Sequence, residues 1–456
     1  FYAAYRVELC LLLATSTLVD WFVGQKIHRS VGRRPRTLWL LTSLVVNLGL
    51  LGVFKYGTFA LDNLSKLCSA VGVNYTFPHW EFPLPPGISF YTFQTLSYTI
   101  DIYRRKLEPY ESFWGFTMYV AFFPQLVAGP IVRAKQFLPQ IQNAKPFQYD
   151  RTVVAVELVL LGLFKKMVLA DGVAPAVNTI YNPSINPTLP GWMSIVGTFL
   201  FAVQIYCDFS GYTDIARGVG HWLGYTIPQN FQWPYLSRSP QEFWRRWHQT
   251  LSFWIRDYLY ISLGGSRKGP VRTIVNLFIT MGLAGLWHGA NWRFVSWGLF
   301  YGAWLALHRI YRLIVDWLGW SAGRPLTWIY RLICLVVTFS LVNIAWVLFR
   351  ATDFTTAGSI ISRMLTWAPA SVEARNATAT WSELLTNVSN WSGLEYTTMI
   401  LLALCIPVHC FLSFRYRDGL LLETCPRVVR PVAVAGFILI LMLFAHQGAP
   451  FIYFAF

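Results

Sequence analysis

Apolar residues run along this chain in blocks, separated by short polar connectors that carry most of its basic residues. A spanning helix needs about 20 consecutive apolar residues. Segments 1–23, 38–60, 113–130, 153–170, 192–207, 274–290, 292–308, 332–349, 397–414 and 432–446 approach that length. Segment 84–103 is more polar and opens on prolines, so it reads as a helix crossing only part of a bilayer. In lipid every backbone N–H and C=O must be satisfied within its own segment, which favours helices. The pattern therefore predicts an all-α polytopic bundle of about ten spanning helices, plus re-entrant or interfacial pieces. No stretch outside these blocks is long enough to fold alone, so 1–456 reads as a single transmembrane domain. The chain opens at Phe1, already apolar and not Met, from which a missing native N-terminal segment is expected.

Between Ser239 and Gly265 the period changes. Ser239-Pro240-Gln241-Glu242 is a capping box with Pro at the first helical position. Gly264-Gly265 supplies a stop. Phe243, Trp247, Leu251, Trp254, Tyr258 and Ile261 recur at spacings of three and four, which predicts one amphipathic helix. Arg245, Gln249, Ser252 and Arg256 form its polar stripe, with Arg246 beside it and His248 at the edge. Such a helix suits a membrane interface or the floor of a water-filled cavity. A basic surface helix reaching lipid phosphates has the same pattern.

Composition agrees with a membrane protein. Hydrophobic residues make up 55% and charged residues 13%, against roughly 25% charged in soluble domains. The net charge of +16 is carried by short loops: Lys26 to Arg36, Arg104 to Lys106, Arg133 to Lys145, Arg238 to Arg272 and Arg415 to Arg430. By the positive-inside rule these face the cytoplasm, while 62–83, 181–191 and 367–395 read as extracytoplasmic. The charge is a topology signal, and without a soluble basic module no nucleic-acid partner is expected. The seven cysteines are dispersed, with no zinc spacing, so no metal site is expected. Asn376, Asn387 and Asn390 stand in N-x-S/T triplets that matter only in a glycosylating pathway.

Two histidines carry the candidate chemistry. His248 follows Arg245-Arg246-Trp247, and His288 stands in Leu286-Trp287-His288-Gly289-Ala290-Asn291-Trp292. An ionisable residue in apolar surroundings is costly and marks function by default. An imidazole can take and return a proton near neutrality. Gly282, Gly285 and Gly289 allow close helix packing or leave room for a tunnel that Trp287 and Trp292 could wall. Asn291 offers a donor and an acceptor. His288, His248 and Asn291 are thus the catalytic candidates. Arg245, Arg246 and Arg256 suit a phosphorylated donor because the guanidinium fork binds phosphate bidentately, and Ser252 and Trp287 join them as donor-binding candidates. Tyr206, Asp208, Ser210, Tyr212 and Asp214 form a polar strip read mainly as structural, with contact to the transferred group as the other reading. Asp101 and Lys165-Lys166 read as ion-pairing or snorkelling groups near helix ends.

Several passages together resemble the membrane-bound O-acyltransferase (MBOAT) family, in its bacterial alginate-type branch that acetylates exported polysaccharides. They are Pro86 to Gln94, Tyr98 to Arg104, Phe123 to Arg133, Gly162 to Lys166, Gln204 to Asp214, the His248 segment, Leu286 to Trp292 and Pro450 to Phe454. The resemblance implies a helical bundle around a central reaction tunnel, with His288 as the catalytic base and His248 as the second active-site position. It implies acetyl-CoA as donor, without a metal, in the bacterial inner membrane. It also implies a periplasmic SGNH-type acetyltransferase partner and a polysaccharide as final acceptor. Acyl or D-alanyl transfer to teichoic acid, lipid or protein is the competing enzymatic reading. A transporter is the competing non-enzymatic one, although the internal repeat common in transporters is not found.

Overall fold

The computed structural model describes residues 2–4, 6–77, 84–143, 145–185, 190–319, 328–366, 426–446, 448 and 451, and helix is the only regular structure among them. Helices α1 (Leu9–Arg29), α2 (Arg33–Leu51) and α3 (Gly57–Ala70) open the chain. A π turn, Gly52–Tyr56, joins α2 to α3, so that Arg33–Ala70 is one continuous apolar helix of 38 residues. Next come α4 (Ile88–Tyr103), the short α5 (Phe113–Val120) and α6 (Phe123–Leu126), then α7 (Ala134–Ile141) and α8 (Tyr149–Leu163). A second π segment, Phe164–Ala170, leads from α8 into α9 (Asp171–Ile180), and α10 (Gly191–Trp222) is the longest of the later helices. The remainder comprises α11 (Pro240–Arg246), α12 (Gln249–Trp254) with a third π segment Ile255–Tyr260, α13 (Pro270–His288), α14 (Trp292–Trp317), α15 (Trp328–Arg350), α16 (Phe354–Thr366) and α17 (Val429–Phe444).

Among the described residues, Arg33–Ala70, Gly191–Trp222, Pro270–His288 and Trp328–Arg350 are long and apolar enough to cross a membrane. The all-helical expectation holds. The apolar stretch 113–130 differs from its expectation: it is not one spanning helix. Ser112 caps α5 by accepting from the Gly115 N–H at 3.1 Å, and Pro124 then starts a separate turn. Segment 397–414, the loops 367–395 and most of 415–431, the three Asn triplets and most of Pro450–Phe454 lie outside the described residues.

Two apolar clusters share α4 as their wall. Phe90, Phe93 and Leu96, one helical face, pack with the later helices, while Ile88, Tyr91, Tyr98 and Ile102 pack with α1, α2 and α5 to α7. That explains why α4 is polar by sequence yet buried almost throughout. Its hydroxyls meet a polar seam between helices: Asn47 donates to Asp20 Oδ2 at 2.9 Å, Ser43 donates to Asp20 Oδ1, and Ser43 and Thr99 hydroxyls lie 3.1 Å apart. Polar groups in such a core must be paired internally, and these are.

Candidate active site

The Ser239–Gly265 segment starts as its sequence predicts. Ser239 accepts from the Glu242 N–H at 3.2 Å, and Glu242 reaches back to the Arg238 N–H at 2.8 Å. It does not continue as one helix. At His248 the backbone turns left-handed, φ +41° and ψ +56°, ending α11 and starting α12. For a residue with a Cβ this conformation costs on the order of 1–3 kcal/mol and persists only where surroundings over-determine it. Asn230 does so. Its carbonyl accepts the Gln249 N–H at 2.8 Å, and its Oδ1 accepts the Thr250 hydroxyl at 2.6 Å and the Thr250 N–H at 3.3 Å. Thr250 in turn accepts the Ile131 N–H at 2.9 Å.

The break places His248 inside rather than on a stripe edge. It is 0% exposed, and its Nδ1 lies 3.3 Å from Asn230 Oδ1. That oxygen only accepts, so Nδ1 carries the proton and Nε2 keeps its lone pair. Nε2 has no partner among the described residues. The Phe209 ring meets the imidazole edge-on at 4.7 Å, and Phe90 and Trp287 each stand 6.3 Å away.

His288 arrives from a different direction. Gly269 (φ +85°) and Pro270 start α13, which runs to His288 as its last residue. The imidazole, 6% exposed, is packed by Trp287 and Trp297 at 5.0 Å each and by Phe349 at 5.4 Å. Trp287 therefore borders both histidines, which are 40 positions apart in sequence. Gly285, Gly289 and Gly298 serve packing rather than open space, whereas a Cβ on Gly282 would meet only the Leu299 side chain at 3.4 Å. A Cβ on Gly285 would run into the Phe294 carbonyl, one on Gly298 into the Met281 carbonyl, and one on Gly289 into the Phe294 ring. Backbone contact of α13 with α14 at Gly285 and Gly298 is the close helix packing that small residues allow.

Two buried imidazoles bordering one indole is a setting for moving a proton next to an apolar acyl chain. The profile of MBOAT, the membrane-bound O-acyltransferase family, matches residues 103–348, more than half of the chain. The chain belongs to this family. A protein named as a probable alginate O-acetylase, AlgI, of Pseudomonas aeruginosa is 38% identical over 406 residues, covering 88% of this chain and 72% of that protein. A peptidoglycan O-acetyltransferase of Helicobacter pylori is 33% identical over 392 residues, 80% of this chain and 72% of that one. A teichoic acid D-alanyltransferase of Bacillus subtilis is 25% identical over 281 residues, 59% and 69%. This MBOAT protein is an O-acetyltransferase.

Other site residues of the acyltransferase fall differently from their sequence reading. Asn291 is exposed, and its Oδ1 caps α14 by accepting the Arg293 N–H at 2.9 Å. Trp292 is likewise exposed and donates to Asn63 Oδ1 at 2.8 Å. Of the donor-side candidates, Arg246 is held by Glu242 at 2.6 Å and Arg256 by Asp257 at 2.7 Å. Arg245 is exposed and has no ion-pair partner among the described residues. Ser252 donates back to the Trp247 carbonyl at 3.0 Å. Lys165 and Lys166 pair as expected, with Asp214 at 2.7 Å and with Asp171 and Asp208 at 2.7 Å each. Among the described residues no cluster of three or more His, Cys, Asp or Glu could hold a metal.

The sequence reading missed a second basic group beside the third π segment. Arg133 pairs with Asp257 at 2.8 Å, and Arg104 donates to the Asp257 carbonyl at 3.0 Å and to Ser262 at 2.8 Å. Arg133 and Arg104 lie over the Tyr258 ring at 5.2 and 5.4 Å, and Tyr258 donates to Asp101 at 2.8 Å. Burial pushes the Asp257 carboxyl up, and the hydrogen bonds from Arg256 and Arg133 outweigh it, leaving it below its ordinary value. Asn230 was also missed, since a lone Asn in a polar loop carries no spacing signal.

Proposed function

We propose that this enzyme takes an acetyl group from acetyl-CoA at the cytoplasmic face of the bacterial inner membrane for O-acetylation of an exported or cell-wall polysaccharide. The observation that carries the reading is the meeting of His248 and His288 at Trp287 inside an aromatic enclosure. His288 takes the proton of an acceptor hydroxyl as its oxygen attacks the thioester carbonyl. The carbon–sulfur bond breaks, and the imidazolium returns the proton to the departing thiolate, leaving an ester and free CoA. His248, with its Nε2 lone pair facing the same enclosure, orients a hydroxyl or a protonated partner.

The donor side is supported by a row of rings. Tyr258 and Trp254 stand 5.1 Å apart, Trp254 stacks on Phe93 at 3.8 Å, and Phe93 faces Trp287 at 5.5 Å. Basic side chains at one end suit CoA phosphates, and the apolar row leads from them toward the histidines. The acceptor class is supported by the relatives, whose names specify alginate and peptidoglycan, both polysaccharides. The match to the D-alanyltransferase is weaker and shorter, which places that reading second. A periplasmic SGNH-type acetyltransferase is the partner that would complete transfer to the polymer.

The test is the acetyl content of surface polysaccharide in a strain lacking the gene, complemented with the intact protein or with His288→Gln. Restoration by the former alone supports the proposal. Wild-type acetylation with well-expressed His288→Gln removes the base assignment.

A further inference from the structure

Helix α13 ends at its functional residue, which raises the question of what holds that end. The last four carbonyls of any helix lack intrahelical donors. Many helices close by a left-handed turn that folds later N–H groups back onto them. Here Gly289 is extended instead, φ −164° and ψ +146°, which takes the following N–H groups away. Two of these carbonyls are satisfied from another helix. Lys55 Nζ donates to the Trp287 carbonyl, and the Tyr56 hydroxyl donates to the Leu286 carbonyl at 3.1 Å.

Both donors belong to the π turn Gly52–Tyr56 between α2 and α3. A π turn holds one residue more than an α turn, and that extra residue rotates the side chains around it. Lys55 also lies 3.3 Å from the Ser89 hydroxyl and 5.5 Å from the Trp287 ring centroid. Among the described residues it has no carboxylate partner. An unpaired cation in this setting is costly. The negative end of the α13 dipole is what it meets, and a cation is favoured there. Lys55 therefore joins the N-terminal helices to the one turn that carries Trp287 and His288.

We infer that Lys55, with Tyr56, is a positioning residue of the acyltransferase: from outside α13 it fixes the helix end and so the placement of the His288 imidazole. This rests on His288 being the base. Lys55 acts through the Trp287 carbonyl, so the chemical step should suffer when it is removed while donor binding should not. A displacement of about 1 Å in a reacting group can cost on the order of 10²-fold in rate.

The test uses full-length enzyme in detergent or nanodiscs, normalised to the monodisperse fraction, with acetyl-CoA as the varied substrate. Lys55→Met should lower kcat roughly 10- to 100-fold with the KM for acetyl-CoA within about threefold. Lys55→Arg, which keeps a charged donor, should recover most of that loss, and Tyr56→Phe should lose less than Lys55→Met. If Lys55→Met yields no monodisperse protein, Lys55→Leu, which also lacks a donor, decides in its place. Wild-type kcat in Lys55→Met or Lys55→Leu overturns the inference, as does a failure of Lys55→Arg to do better than the apolar variant. An inactive His288→Gln beside a fully active Lys55→Met sinks this inference alone. An active His288→Gln sinks the base assignment on which it stands.

Discussion

At the scale of single residues, the two histidines are held by different means, and substitutions should separate them. His288→Gln keeps the size and a hydrogen bond but cannot take a proton near neutrality, so acetyl transfer should fall at least about 10²–10⁴-fold. His248→Asn should retain part of the activity if that ring only orients. His248 also adopts a left-handed backbone conformation, which glycine takes up without penalty. His248→Gly should therefore melt at a higher temperature than His248→Ala, with both impaired in turnover. Equal melting temperatures for the two would count against strain at this position. Asn230→Ala should weaken the same turn by removing the acceptor that holds Thr250. The histidines were legible in the sequence because an imidazole among apolar residues is conspicuous. Asn230 and Lys55 were not, since each works by capping backbone groups on a distant segment, and nothing local in their own sequence records that contact.

At the scale of elements, a period was read correctly and its continuity was not. Spacings of three and four persist through residue 248 because α11 and α12 present similar faces to the core. One residue of left-handed backbone leaves no trace in such a count, particularly when the residue is His rather than Gly. The three π turns are equally invisible, yet each carries ionisable residues: Lys55, Lys165 with Lys166, and Arg256 with Asp257. On α11, Arg245 is the arginine left without a carboxylate, whereas Arg246 is paired. Arg245→Ala should raise the apparent KM for acetyl-CoA about three- to tenfold at low salt with little change in kcat, an effect that added salt diminishes. A kcat loss at constant KM would assign Arg245 to packing or chemistry instead. Asp257 supplies a pH dependence. Its folded carboxyl is held below its ordinary value, so its contribution is complete above the unfolded pKa, about 3.9, and is lost as pH falls through the folded value. The melting temperature of purified enzyme should drop below about pH 4, and Asp257→Asn should flatten that drop. An unchanged acid limb in the variant would show that other carboxylates govern it.

At the scale of the whole molecule, orientation decides whether the site can join cytoplasmic donor to external acceptor. α1 ends in Lys26, His28 and Arg29, and α2 begins with Arg33 and Arg34, so this turn belongs inside by the positive-inside rule. The continuous helix from Arg33 to Ala70 has 38 residues, about 57 Å at roughly 1.5 Å per residue. That exceeds the hydrocarbon thickness of about 30 Å, so its two ends must emerge on opposite sides even if it tilts. Lys55 lies 22 residues along it from Arg33, about 33 Å by the same rise, toward the far face. His288 is the last residue of a helix starting at Pro270 beside another basic loop, so by the same rule it too lies toward the far face. The ring row from Tyr258 to Trp287 covers part of the distance between the two levels. Single cysteines at the exposed positions Val31 and Val73, placed in an otherwise cysteine-free chain, make this orientation measurable in intact cells. A membrane-impermeant maleimide should label Val73→Cys and spare Val31→Cys until the membrane is opened. The reverse pattern would put the basic arginine cluster outside, away from any CoA pool, and the proposed direction of transfer could not stand.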